Sequence, residues 1–245
     1  MSHPNSESQN ENTAGQVPSQ ASLGLTEPER PQTPADVRAV EREPDVLEQV
    51  ADLVARGEMS AALTTLRALI AREPANARAR AALAAQLDRR GDIEGALGEL
   101  GRALEIAPDD VRILCARATM LASRARYDLA EVDLRKAARI SPRSAEVQMQ
   151  LGILFSKRAR WREAIEPLLA AVAADPSHGD AHFYLGEAYN HIDELTSALA
   201  AYEAASTLQP SNVRALKGIG IVLDRLGRPV EAAAAYRRSR DTQRR

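Results

Sequence analysis

From about residue 43 onward, apolar side chains fall at helical spacing in short stretches separated by brief polar breaks. The segment ARARAALAAQLDRR, the break GD and the segment IEGALGELGRALEIAP show the scheme: two amphipathic helices, a turn between them, and a proline that stops the second. Pro74, Pro108, Pro142, Pro176 and Pro210 stand 34 residues apart without insertion. A fixed period of this length marks a supersecondary unit that buries its apolar face by stacking on its neighbours.

Other positions keep the same step. Ala62, Ala96, Ala130, Ala164 and Ala198 lie twelve residues before the prolines, and Ala232 continues the series. A close helix crossing that admits only a methyl group explains them. It also explains Ala84, Ala118, Gly152, Gly186 and Gly220 in the earlier helix of each unit, where Val50 is the one departure. Gly57, Gly91 and Gly227 fall at the inter-helix turn, where a left-handed backbone suits glycine. Ala125, Ala159 and Asp193 take that place elsewhere and predict tighter or more strained turns. Asn76, Asp110, Ser144 and Asn212 are positioned to cap the next first helix. Pro167, inside a second helix, predicts a local bend.

A 34-residue unit with small residues at these points and a terminal proline resembles the tetratricopeptide repeat, written W-x₂-L-G-x₂-Y, A-x₃-F, P. Gln148, Leu151, Gly152, Phe155, Ala164, Leu168 and Pro176 follow that pattern, as do His182, Leu185, Gly186, Tyr189, Ala198, Tyr202 and Pro210. No unit carries the tryptophan. The resemblance implies an all-α fold, a right-handed α-solenoid of about six tandem helix-turn-helix repeats, with units at 43–76, 77–110, 111–144, 145–178, 179–212 and 213–242. Residues 1–42, rich in Ser, Pro and Gln, lack the apolar content to offset ordering and are expected to be a disordered tail. Leu23 and Leu25 are its one candidate docking motif.

Composition removes several function classes. The 32 basic and 34 acidic residues are interspersed, which disfavours nucleic acid as a partner. Cys115 is the only cysteine, so no internal disulfide forms, and a packed apolar role outweighs a nucleophilic one. His178 and His182, four apart, do not by themselves make a metal site. Phosphate loops and nucleophile elbows are absent. No catalytic, cofactor or metal residues are expected. Neither a signal peptide nor a membrane span is seen, which predicts a soluble cytoplasmic protein without membrane insertion. The single Trp, five Tyr and two Phe all lie at or beyond Tyr127, so the two N-terminal units are expected to open at lower free energy than the central ones.

The resemblance places the first helix of each unit on a concave groove that binds a protein or peptide. Carried onto this chain, the groove stripe comprises Arg78, Arg112, Met149, Ile153, Lys157, Phe183, Glu187, Asn190, His191 and Lys217, with Arg89, Cys115, Thr119 and Arg225 beside them. Met149, Ile153 and Phe183 either form an exposed apolar recognition patch or are partly buried between adjacent helices. The Lys and Asn set with which some family members clamp a terminal carboxylate is missing. Trp161 is expected to cover a helix junction. The function implied is an interaction scaffold or adaptor. Alternatives are a non-catalytic regulatory or substrate-presenting subunit of an enzyme or an envelope or secretion assembly, and, more weakly, an RNA-binding helical repeat. Without a further capping helix, the C-terminal face is a candidate for self-association.

Overall fold

The computed structural model describes residues 46–244, which form twelve α-helices and no strand. In order they are α1 Val46–Ala55, α2 Met59–Arg72, α3 Ala77–Arg89, α4 Ile93–Ile106, α5 Val111–Ser123, α6 Tyr127–Ile140, α7 Ala145–Lys157, α8 Trp161–Ala174, α9 Gly179–His191, α10 Leu195–Leu208, α11 Val213–Arg225 and α12 Pro229–Gln243. The expected tail over residues 1–42, with Leu23 and Leu25, lies outside the described residues. Each helix packs on the one before and the one after it, so the chain is an all-α repeat solenoid.

The helix ends follow from local chemistry. Within each unit the first helix closes by a backbone bond that reaches back five residues, as in Asp92 N–H to Leu87 O (2.9 Å) and Glu194 N–H to Tyr189 O (3.0 Å). This closure needs one residue at positive φ. Gly57, Gly91 and Gly227 supply it at 78°, 81° and 72°, and Ala125, Ala159 and Asp193 adopt it at 57°, 56° and 69°. The non-glycine turns are therefore the same turn, formed at a steric cost. Asn76, Asp110, Ser144 and Asn212 each accept a backbone N–H from the helix that follows, and Asp92 does so for α4.

The absence of the tryptophan has a specific consequence. Residues at its place reach back to the proline carbonyl that ends the preceding unit: Arg80 donates to Pro74 O, Gln148 to Pro142 O (2.9 Å), and His182 Nε2 lies 3.1 Å from Pro176 O. Leu114 has no polar group to offer, and Lys136 Nζ from α6 donates to Pro108 O instead, at 2.6 Å. A polar latch stands where an indole would pack.

The six in-register alanines are all fully buried. The glycines of the earlier helices answer a different neighbour from the one the spacing suggests. A Cβ on Gly152 would come within 2.4 Å of Leu168 Cγ, one on Gly186 within 2.7 Å of Tyr202 Cδ1, and one on Gly220 within 2.5 Å of Tyr236 Cε1. Glycine is present because a large side chain from the paired helix crosses over it. Helix α8 continues through Pro167, whose ring is buried. In the third unit Arg117, at the place of Leu83, Leu151 and Leu185, makes two 2.7 Å bonds to Asp133, which is 3% exposed.

Candidate functional site

The odd helices from α5 to α11 touch one another in succession, α5 on α7, α7 on α9 and α9 on α11, and no two even helices do so to the same extent. In a stacked array the row whose members stand closer lies on the inside of the curve. From α5 to α11 the odd helices are therefore the inner row, and the solvent-facing residues of the odd series are the candidate site.

Met149 and Phe183 do not form an exposed patch there. Met149 is 9% exposed and packs with Ala171 of α8 and Ala181 of α9, beside half-buried Ile153. Phe183 is 2% exposed; Tyr184 meets it edge-on at 5.2 Å, Tyr202 tilts against it at 5.9 Å, and the Arg214 guanidinium lies 4.2 Å above its ring. The cause is the closeness of the inner row, since each of these side chains lies beneath the next odd helix. They shape the groove from below and offer little to a ligand.

The remaining stripe divides in two. Arg78, Arg112, Thr119, Lys157 and Lys217 are exposed, and Glu187 is half-buried with Tyr202 Oη donating to it at 3.4 Å. Asn190 and His191 belong to the turn edge: Arg225 donates to the Asn190 carbonyl at 2.8 Å, and the His191 ring stacks on Trp161 at 3.8 Å with 4° between planes. Trp161 thus covers the junction between the fourth and fifth units.

That stack is part of a longer system of contacts between units along the turns. Arg126 pairs with Glu94 of the unit before it (2.6 Å), Arg158 with Asp128 (2.9 Å), and Arg225 with Asp193 (2.6 Å). Glu131 receives Arg135, Arg158 and Arg160 together, and Arg160 also lies 4.6 Å over the Phe155 ring. The arginines of this edge bridge consecutive units.

One open space was not anticipated. A cavity of about 410 Å³ lies among α1, α3 and α5, lined by Leu47, Arg78, Ala81, Asp110, Arg112, Ile113 and Ala116. The sequence signal for it is a change of charge at the second residue of the odd helices, Arg78 and Arg112 in α3 and α5 but Glu146 and Asp180 in α7 and α9. Cys115, next to this region, is buried, and burial pushes its thiol up to about 11, with Glu146 and Asp133 adding to the effect; it is not a nucleophile at neutral pH. His178 stands at the N-cap of α9 without a side-chain capping bond, and the His182 ring turns to the Pro176 carbonyl. Among the described residues no helix is long and apolar enough to cross a membrane.

The C-terminal helix presents polar groups at places where earlier units present apolar ones. Arg240 stands where Leu104, Ala138 and Val172 lie buried or half-buried, and Tyr236 Oη donates to Asp224 at 2.9 Å.

Comparison with known proteins bears on the whole arrangement. The tetratricopeptide repeat pattern matches residues 149–210 and 193–244, and a second pattern of the same description matches residues 53–118. No curated protein matches. Among solved structures, MamA from Desulfovibrio magneticus RS-1 is 24% identical with a TM-score of 0.64, over 69% of this chain and 95% of that one. YrrB, described as a tetratricopeptide repeat protein with an unusual peptide-binding site, is 20% identical with a TM-score of 0.62, over 73% of this chain and 92% of that one. A tetratricopeptide repeat protein from Parabacteroides merdae is 18% identical with a TM-score of 0.66, over 78% and 75%. At these identities the likeness is one of fold.

Proposed function

The chain belongs to the tetratricopeptide repeat family, and from that premise we propose that it is a non-catalytic interaction scaffold or adaptor that holds a peptide or protein segment along its inner row. The observation that carries the reading is the unpaired charge along the inner row, set beside the paired charge between units at the turns. Arginines of the turn edge are taken up by carboxylates of the neighbouring unit, whereas Arg78, Lys157 and Lys217 on the inner row make no ion pair among the described residues. Exposed arginines of the even helices, such as Arg67 and Arg139, are unpaired as well, but on the inner row the unpaired charge lies along the surface where a partner would run. The peptide-binding description of YrrB agrees with this use of the fold, though fold alone does not assign function.

On this reading Arg78, Arg112, Ile153, Lys157, Glu187 and Lys217 are the contact residues, and Met149 and Phe183 are their support. The test is site-specific photocrosslinking in native host cells, with the reactive group placed at Thr119 and Lys157 on the inner row and at Leu129 and Val132 on the exposed side of α6. A discrete protein adduct from the inner positions and none from the outer ones is expected. Adducts confined to Leu129 and Val132 would move the binding surface to the even helices and overturn the proposal.

A further inference from the structure

We infer that a cavity between α6 and α8 takes one arginine side chain of a partner protein, at a site separate from the inner row. The cavity has a volume of about 370 Å³. Leu151 and Phe155 of α7 and Pro167 and Ala170 of α8 form its apolar lining, and Glu163 and Glu166 stand on its α8 side. Leu129 and Val132 do not line it.

In the two preceding units an ion pair joins the two helices at the equivalent place. Glu99 and Asp133 stand two repeat steps and one repeat step before Pro167. Arg80 of α3 pairs with Glu99 at 3.0 Å, and Arg117 of α5 pairs with Asp133 at 2.7 Å. Both pairs are shielded from solvent, with no side chain more than 30% exposed. In the fourth unit Gln148 and Leu151 hold the two arginine places and Pro167 holds the carboxylate place. No such pair can form there, and the space stays open.

The fourth unit brings a different carboxylate to this space. Glu166 occupies a place held in the other units by Thr64, Gly98, Val132, Ala200 and Ala234, so the repeat itself does not call for a charge there. It makes no ion pair among the described residues, whereas its charged neighbours are engaged: Arg160 forks onto Glu163, and Arg135 pairs with Glu131 at 2.7 Å. Pro167 adds a second acceptor. It has no N–H to give to the carbonyl of Glu163, four residues before it, which therefore lacks its helical donor. A free carboxylate and a free carbonyl beside an apolar floor call for several N–H donors, a positive charge and an apolar stem. Arginine carries all three: its guanidinium donates in several directions, and its stem can lie on Leu151 and Pro167. A partner's arginine would restore from outside the contact that Arg80 and Arg117 make within their own units.

The test is titration of the isotope-labelled full chain with N-acetylarginine methylamide, which mimics an arginine within a chain, followed by NMR of the backbone amides. Shifts over residues 151–155 and 163–170 are expected, with a Kd on the order of millimolar for the isolated side chain. The capped citrulline analogue has the same shape without the charge and should bind about tenfold more weakly. Glu166→Gln, an exposed substitution, should weaken the arginine probe to a similar degree. Leu151→Arg with Pro167→Asp installs the pair of the third unit and should abolish binding in a chain that still melts cooperatively. Absent shifts, shifts confined to other residues, equal binding of citrulline, or indifference to Glu166→Gln would each overturn the inference. Preference for capped tryptophan would make the cavity an aromatic pocket, and tighter binding of free arginine would make the ligand an amino acid; either result also overturns it. All of these outcomes leave the inner-row reading untouched.

Discussion

The first two units and the fifth have the same helices, caps and turns, yet they are packed by different means. In the fifth, Tyr202 is almost wholly buried and its ring fills the space above Gly186 of its own unit and Gly218 of the next, so one side chain ties α9 and α11 together. In the first two, α1 buries only Val50, and α4 carries exposed Gly98 and part-exposed Gly101, which add no packing and weaken the helix. Gln86 is buried with its Oε1 unpartnered, at a place held elsewhere by Met120, Leu154, Ala188 and Val222. The same periodic frame thus supports a region keyed by large side chains and one without them, and the cavity lined by Arg78 and Arg112 spans the second and third units.

Several substitutions would break or sharpen this contrast. The largest effect is expected from Tyr202→Ala, which removes the shared key and should cost about 3–5 kcal/mol, read as loss of hydrogen-exchange protection in both α9 and α11. Loss confined to α9 would show that the ring does not couple the units. Strengthening the first two units should work in the opposite direction. Gly98→Ala with Gly101→Ala should stabilise α4 by about 1 kcal/mol per site, measured as slower exchange over residues 93–106. Gln86→Leu should gain about 1–2 kcal/mol by removing a buried carbonyl that has no partner; no rise in the denaturation midpoint would mean that the amide is satisfied in solution. The smallest effect is expected from Ala159→Gly, about 0.5–1 kcal/mol of stabilisation from relief of the left-handed turn, visible as a small upward shift in melting temperature. In the unmodified chain, residues 46–100 should exchange faster than 147–205, and equal protection would contradict the contrast itself.

Much of the frame was legible before any coordinates. The 34-residue step gave the helix pairs, and Asn76, Asp110, Ser144 and Asn212 cap as their side chains suggest. The site was less legible, for a physical reason. Whether Met149 and Phe183 are exposed depends on how near the following odd helix comes. That distance is set by curvature across units and not by periodicity within one. Tyr202 and Gly186 show the same limit, because the glycine looks like a helix-crossing residue until the ring above it is known. Arg117 looks like a surface residue interrupting an apolar series, and only its pairing with the buried Asp133 explains its half-buried place. Arg78 and Arg112 stood in the expected stripe, but the cavity they line was not legible, since Leu47, Ala81 and Ala116 have no individual signature.

The contacts along the turns have a mechanical meaning. Arg126 with Glu94, Arg158 with Asp128 and Arg225 with Asp193 each bridge consecutive units near one edge of the array, far from the alanine contacts that hold the units together. They act as stays on a bent beam: loosening them lets the beam flex without coming apart. Added salt screens exposed pairs while leaving apolar contacts in place. The solenoid should therefore become more compliant in bending as ionic strength rises, with its groove breathing over a wider range of openings well before any helix melts.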